Sequence, residues 1–195
     1  KVVDRLGYRI NVSARNLNRG RTGFITLAVP CLTAPYLAGL ANRVIDIARI
    51  YDYSVYVTTY AEGTSRGAAS LLRNFNATVS DGMILSLSEM EDLTPEDLSV
   101  DYPLVCVGAR FTHYKADHVT PDDVQSARLA TEYLLDRGVS RPAVVGSRTD
   151  FAQLSTLRDV TEGNAQLRMR GVFEACCDRN IALANELMPN VGHDW

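Results

Sequence analysis

The sequence lacks the features that most often identify an enzyme, a metal protein or a membrane protein. It contains no G-x-x-x-x-G-K phosphate loop and no G-x-G-x-x-G dinucleotide fingerprint. Its four cysteines have neither zinc-finger nor C-x-x-C spacing, so we expect free core thiols in a reducing cytoplasm, with no metal and no cofactor. No apolar run approaches the length of a membrane span, and no signal-peptide pattern opens the chain. We therefore expect a protein without catalytic residues.

A strong charge bias is also missing. The net charge is −3 and the pI is about 5.6, which argues against a protein that binds nucleic acid with its whole surface but not against a local basic segment. Hydrophobic residues make up 46% of the chain and charged residues 22%, a normal globular balance. The 195 residues suffice for one ordinary domain or two small lobes.

The chain is organised around residues 21–62, whose pattern predicts a strand, a helix and a second strand. Residues 24–29 form a short apolar run that Pro30 ends, which predicts a strand covered on both faces. Thr33 is predicted to cap the helix that follows, with Pro35 in its first turn. Residues 53–59 predict a second buried strand. Such a βαβ unit builds a parallel sheet.

Further helices and strands extend this unit to residue 107. Thr64 is predicted to cap the next helix, and the pattern Thr94-Pro95-Glu96-Asp97 is typical of a helix start. Strands are predicted at residues 83–87 and 104–107. The order βαβαβαβ predicts an α/β protein with a doubly wound parallel sheet.

A second series begins near residue 120. Asp122 is predicted to cap a long helix over residues 123–137, followed by a strand at 143–146 and a helix at 164–179. Residues 187–188 are predicted to form another sheet edge. We therefore expect two lobes, residues 23–119 and residues 120–195, of which the second is incomplete.

Residues 9–22 differ sharply from the rest because they carry four arginines and no acid. Asn11 can cap a short helix that Gly20 ends. Composition alone leaves two interpretations open. The segment is either a solvated linker or a helix that folds against an anionic partner, with Leu17 as an apolar wedge in a DNA minor groove.

Three stretches of the chain resemble the lac repressor (LacI/GalR) family of bacterial transcription regulators. LGYRINVSARNLNRGRTGFITLAVP is similar to the family's hinge and first strand. SARLATEYLLDRGVSRPAVVG is similar to its lobe crossover, and LRMRGVFEACCDRNI to the helix after its effector loop. The resemblance implies a two-lobed fold like that of type I periplasmic binding proteins. It also implies that residues 1–8 are the remnant of a DNA-binding headpiece and that residues 9–22 are a hinge helix and linker.

The resemblance implies a cytoplasmic homodimeric repressor that binds operator DNA and has no membrane partner. A small-molecule effector, in the first place a carbohydrate, is expected to bind between the lobes. Effector contacts are implied for Tyr36, Asp122 and Arg168, and Arg110 is added from its position in a loop. Contacts of the hinge with DNA are implied for Asn11, Ala14, Arg15 and Leu17.

The chain departs from the family pattern at several positions. Ile10 stands where proline is usual, Gly108 where an acidic residue often contacts the effector, and Asp123 where asparagine is common. Two alternatives remain: a periplasmic solute-binding protein of the same shape, and an enzyme on a doubly wound sheet. The basic segment before the first strand favours the regulator, because an exported receptor has no use for it.

Overall fold

The structure is a computed structural model that describes residues 20–64, 67–88, 91–145 and 154–183. It divides into two units. The first unit holds the described residues up to Val107 together with Lys115–Asp117, and the second holds Gly108–Tyr114 and the described residues from His118 onward. The predicted headpiece remnant, the hinge and the predicted sheet edge at residues 187–188 lie outside the described residues. The predicted domain limits stay predictions.

The first unit is built on a parallel sheet with the predicted alternation of strands and helices. The strands have the order β2-β1-β3-β4-β5, and β1 is parallel to both β2 and β3, as β3 is to β4. The elements in chain order are β1 (Phe24–Val29), α1 (Pro35–Ile50), β2 (Ser54–Thr59), α2 (Ala68–Arg73), β3 (Met83–Ser86), α3 (Pro95–Leu98), β4 (Leu104–Val107) and β5 (Asp117–Val119). Of β5, only Asp117 belongs to the first unit. The α/β fold class is confirmed.

Strand β1 lies at the centre of the core, as its apolar run predicts. Leu27 and Val29 pack with Ala41 of α1 on one face of the sheet. Ala28 points to the other face, where it packs in a cluster with Leu72 and Leu85. Because successive side chains of a strand alternate between faces, an uninterrupted apolar run indicates cover on both sides.

The sequence analysis predicted that β2 is buried, and this prediction is wrong. Four of its six residues are exposed, among them Tyr56 and Val57. The reason is its place in the sheet, where it is hydrogen-bonded to β1 alone and forms the outer edge.

The predicted caps at Thr33 and Thr64 are also wrong. The N-cap of α1 is Ala34, without a side-chain hydrogen bond, and Pro35 fills the first helical position. The hydroxyl of Thr64 donates to the carbonyl oxygen of Ala61 instead of capping α2. A carboxylate distant in sequence caps the start of α2 instead: Glu91 accepts a hydrogen bond from the backbone N–H of Ala68. By contrast, Thr94 and Asp97 form the capping box that predicted α3.

The described part of the second unit consists mainly of two packed helices. These are α4 (Asp123–Asp136) and α5 (Asn164–Asp178), with a short 3-10 helix at Leu154–Asp159. Asp122 caps α4 as predicted, since its Oδ1 accepts from the N–H of Gln125 at 2.9 Å. The strand predicted at residues 143–146 is wrong for residues 143–145, which form no strand, and Gly146 lies outside the described residues. Within the described ranges, no helix is long and apolar enough to cross a bilayer.

Candidate ligand-binding site

A cavity of about 430 Å³ opens in the second unit beside the start of α4. Its wall combines hydrogen-bonding side chains with apolar ones, which is the usual composition of a small-molecule site. The polar lining residues are Arg110, His118, Thr120, Asp122, Asp123 and Thr161. The apolar ones are Ala109, Phe111, Pro121, Val124 and Leu167.

The first turn of α4 places two carboxylates at this cavity. Asp122 is the N-cap and is exposed, whereas Asp123 is only 4% exposed. The backbone N–H of Asp123 donates to the carbonyl oxygen of Pro121 at 3.0 Å, which closes a tight turn ahead of the helix. Acidic side chains suit this position because the N–H groups of a helix start carry partial positive charge.

Asp123 is held by an arginine from α5. The Nε–H of Arg168 donates to Oδ1 of Asp123 at 2.7 Å, and the arginine itself is 59% exposed. No described residue donates a hydrogen bond to the second carboxylate oxygen, Oδ2, although it is buried. Asp123 therefore has one carboxylate oxygen paired with Arg168 and a second that is buried without a donor among the described residues.

A second ion pair fixes the loop on the other side of the cavity. Arg110 lies 3.3 Å from Oε1 of Glu162, and Oε2 of Glu162 accepts from the N–H of Phe111 at 3.0 Å. The N–H of Gly163 also donates to the carbonyl oxygen of Ala109 at 2.9 Å. These bonds attach the loop to the segment that leads into α5, so Arg110 keeps a defined place.

Phe111 gives the cavity an aromatic wall. Its ring is 47% exposed and makes edge contacts with His113 and Tyr114, with ring centroids 4.8 and 5.4 Å apart. His113 and Tyr114 have φ values of 52° and 56°, in the left-handed region that non-glycine residues rarely adopt. The ring is therefore supported by two neighbours in an unusual backbone conformation.

The structure brings together three of the residues predicted to bind an effector. Arg110 and Asp122 line the cavity, and Arg168 binds the lining residue Asp123. Tyr36 lies in the first turn of α1 in the first unit, with 69% of its side chain exposed. Asn11, Ala14, Arg15 and Leu17 lie outside the described residues. The roles of all these residues stay predictions.

Sequence reasoning missed Asp123 and Phe111 as lining residues of the cavity, and Glu162 as the ion-pair partner of Arg110. The Asp-Asp doublet ahead of a helix was a usable signal for Asp123, because both carboxylates fall in the same turn. Phe111 adjoins Arg110 but carries no motif. Glu162 gave no signal, because it lies 52 residues after Arg110 and only the fold brings the two together.

A serine pattern was also missed. Gly63-Thr64-Ser65-Arg66-Gly67 matches G-x-S-x-G, which in nucleophile elbows joins a strand directly to a helix. Here β2 ends at Thr59, before the pattern begins, and the described part of the first unit contains no histidine. The Glu91 carboxylate already accepts the N–H of Gly63. Ser65 and Arg66 lie outside the described residues, and the rest of the pattern has no triad around it.

Two solved structures match this chain in both fold and sequence. A LacI-type transcription regulator from Bifidobacterium animalis subsp. lactis is 28% identical with a TM-score of 0.75, over 85% of this chain and 57% of that one. A LacI-family regulator from Sanguibacter keddieii is 32% identical with a TM-score of 0.69, over 90% of this chain and 58% of that one. The chain belongs to the LacI family. The resemblance seen in the sequence is confirmed.

A curated relative of this LacI-family chain is the ribose operon repressor of Halalkalibacterium halodurans. It is 29% identical over 138 residues, which cover 71% of this chain and 40% of the repressor. The chain therefore spans roughly half the length of the relatives it matches. No family model matches the chain. The relatives are transcription regulators, which favours the regulator over the solute-binding alternative.

Proposed function

We propose that the full-length protein is a bacterial transcriptional repressor whose affinity for operator DNA is controlled by a sugar. The observation that supports this most directly is the cavity at the start of α4, which lies in a LacI-type fold and combines an aromatic wall with acceptors and donors. The ribose operon repressor among its relatives favours a carbohydrate. Operator binding places the protein in the cytoplasm and requires no catalytic chemistry.

Three charged residues at the cavity have a role in this proposal. The planar guanidinium groups of Arg110 and Arg168 can bind pairs of sugar hydroxyl oxygens. The Asp122 carboxylate, besides capping α4, accepts from a sugar hydroxyl. Phe111 provides an apolar ring for the C–H face of the sugar. In the first unit, Tyr36 is proposed to offer a second aromatic contact.

The hinge is proposed to read DNA through one apolar wedge and its polar neighbours. Leu17 would enter the minor groove and partly unstack one base step, at a cost of about a few kcal/mol. Arg15 would neutralise a phosphate, which adds affinity that falls with salt. Asn11 and Ala14 would complete the short hinge helix.

A second copy of this chain is the proposed partner of the outer face of the first unit. Ile47, Ile50 and Tyr51 at the end of α1 are 55–72% exposed, and Tyr56 and Val57 of β2 are also exposed. An apolar cavity of about 530 Å³ lies beside α1. Exposed apolar side chains and an uncovered edge strand are features of an interaction site. A two-fold dimer would cover the same patch on both copies and would match a pseudo-palindromic operator.

The test is a footprint of the full-length protein on the DNA upstream of its own gene. We expect the protein to protect a pseudo-palindromic site at nanomolar concentration. We also expect that adding a sugar abolishes or strengthens this protection. A solute-binding protein would bind the same sugar and protect no DNA. Protection that no sugar in a broad panel alters would refute the proposed control by a sugar.

A further inference from the structure

The segment that leads into β1 is held by a single carboxylate. Asp81 accepts hydrogen bonds from the backbone N–H groups of Thr22 at 2.6 Å and Gly23 at 2.9 Å. The backbone N–H of Asp81 donates in turn to the carbonyl oxygen of Phe24 at 2.8 Å. Hydrogen bonds to a charged acceptor are stronger than neutral ones, so two of them on one carboxylate hold the backbone direction of this segment.

The turn that carries Asp81 is itself fixed on both sides. The buried hydroxyl of Ser80 donates to the carbonyl oxygen of Gly82 at 3.0 Å and accepts from the hydroxyl of Thr26 at 3.0 Å. Gly82 lies against Pro103, where a Cβ would come within 2.9 Å of the proline carbonyl oxygen. The carboxylate therefore has a defined position relative to the sheet.

Further contacts order the same short segment. The guanidinium group of Arg21 lies over the ring of Tyr53, 5.8 Å from its centroid. The carbonyl oxygen of Gly23 accepts from the N–H of Ser54 at 2.9 Å, which ties the segment to β2 as well. The pKa of Asp81 lies below its ordinary value: partial burial raises it, but the backbone hydrogen bonds lower it by more. The carboxylate is therefore charged at neutral pH.

We propose that Asp81 is a positioning residue for DNA binding, which fixes the direction of the chain between the hinge and β1 and thereby makes the protein require one spacing of the two operator half-sites. This rests on the proposed function, in which the hinge binds DNA and two copies bind one operator. The anchor begins at Thr22, so little free chain separates the hinge from the sheet. Without it, each hinge could shift along the duplex, and DNA binding would have to order the freed residues at a cost in affinity.

The test changes the half-site spacing of the operator and measures binding by the full-length protein. The probes are the duplex identified by footprinting, the same duplex with one or two base pairs inserted at its centre, and a scrambled duplex. Fluorescence anisotropy at one salt concentration gives the Kd for each. For the native protein we expect each inserted base pair to weaken binding at least about tenfold, because the half-sites must match the two-fold geometry of the dimer.

Asp81→Asn is the central variant, because an amide keeps the shape of the carboxylate but offers one acceptor oxygen to two N–H groups. We expect the Kd for the unchanged operator to rise about five- to thirtyfold, which corresponds to the ordering of one further residue on binding. We expect the loss caused by one inserted base pair to become about fivefold smaller than in the native protein.

Gly23→Ala is the second variant and disturbs the segment without touching the carboxylate. Gly23 has a φ of 75°, which alanine rarely adopts, so its turn is strained by the substitution. A Cβ there meets nothing within 4 Å, so the variant should fold. We expect it to relax the spacing requirement in the same direction as Asp81→Asn.

Two controls separate this role from general stability and from charge. Ser80→Ala weakens the same turn but leaves both backbone hydrogen bonds to the Asp81 carboxylate in place. Asp136→Asn removes one negative charge in the second unit, where Asp136 is 62% exposed and pairs with Arg179. Denaturant unfolding measures the stability of all four variants. We expect both controls to keep the native dependence on spacing.

A native dependence on spacing in folded Asp81→Asn would overturn the proposal, and if that variant does not fold, the same result in Gly23→Ala would overturn it. An equal relaxation in Ser80→Ala, or a native protein that binds all spacings equally, would also overturn it. Each of these results is obtained with specific operator binding intact, so it refutes the role of Asp81 alone. Native protein that prefers no duplex over scrambled DNA refutes the proposed function, and the role of Asp81 with it.

Discussion

Gly171 of α5 lies directly against the backbone of α4 at Val124. A Cβ at residue 171 would overlap the carbonyl oxygen of Val124 and would lie 2.9 Å from the backbone nitrogen of Arg128. The two helices therefore meet at a point where only hydrogen fits. The contact lies at the residue next to Asp123 on α4 and three residues from Arg168 on α5, so it is close to that ion pair in both helices.

Gly171→Ala is expected to destabilise the second unit by about 1–3 kcal/mol, because the added methyl group forces the two helices apart. Gly39→Ala is the matched control, since a Cβ there meets nothing within 4 Å and lies in the interior of α1. The control should be neutral or stabilising by about 0.5–1 kcal/mol, because alanine favours helix. Chemical denaturation of both variants measures the difference. Equal stability of the two variants would contradict the close contact.

Tyr60→Phe is expected to lower the free energy of unfolding by about 1–3 kcal/mol. The buried hydroxyl of Tyr60 donates to the carbonyl oxygen of Ser86 at 2.6 Å and accepts from the N–H of Ser88 at 3.2 Å. Removing the hydroxyl removes both of these hydrogen bonds. Tyr51→Phe serves as control because Tyr51 is 71% exposed. Denaturant unfolding that gives the same loss for both would show that the Tyr60 bonds are unimportant.

Stability is expected to fall as the pH rises from about 9 to 11. Burial raises the pKa of the Cys106 thiol to about 11, and burial also raises the pKa of Tyr102 to about 12. In this range the unfolded chain releases protons that the folded chain retains, so unfolding is favoured by up to about 1.4 kcal/mol per pH unit for each group. In the Cys106→Ala variant, the free energy of unfolding should decrease less steeply with pH below pH 11. The measurement is denaturant unfolding of both proteins across this pH range. If the free energy of unfolding decreases equally with pH in the variant and the native protein, the assignment to Cys106 is contradicted.

Leu17→Ala in the full-length protein is expected to weaken specific operator binding by about tenfold or more, while non-specific binding changes little. The wedge acts only where the hinge helix is folded in the minor groove, whereas non-specific binding depends mainly on phosphate contacts. Fluorescence anisotropy on operator and scrambled DNA at one salt concentration measures both. An equal loss on the two DNAs would count against the wedge.

The sequence predicted the fold well where the signal is local. The apolar run of β1 needs no partner to indicate burial on both faces, and Asp122 and Thr94 cap the helices that they immediately precede. The failures have non-local causes. Strand β2 is exposed because it forms the outer edge of the sheet, and α2 needs no hydroxyl cap because Glu91, 23 residues away, reaches its first N–H.

The candidate site was predictable only in part for the same reason. Arg110 and Asp122 could be proposed from a loop position and a family pattern, and both line the cavity. The pairing of Asp123 with Arg168 joins residues 45 positions apart, so it exists only once α4 and α5 pack. Sequence alone therefore indicated the charged residues without showing that the arginines are already in ion pairs.

The most direct test of the account is the operator affinity of the full-length protein with and without a bound sugar. A ligand that favours one of two states changes the affinity at a second site, typically by 1–3 kcal/mol or about 5–150-fold. We predict a change of at least about fivefold in the operator Kd at saturating sugar, and an equal factor in the sugar Kd when operator is bound. An operator Kd that stays the same under a sugar shown to bind by calorimetry would contradict the account.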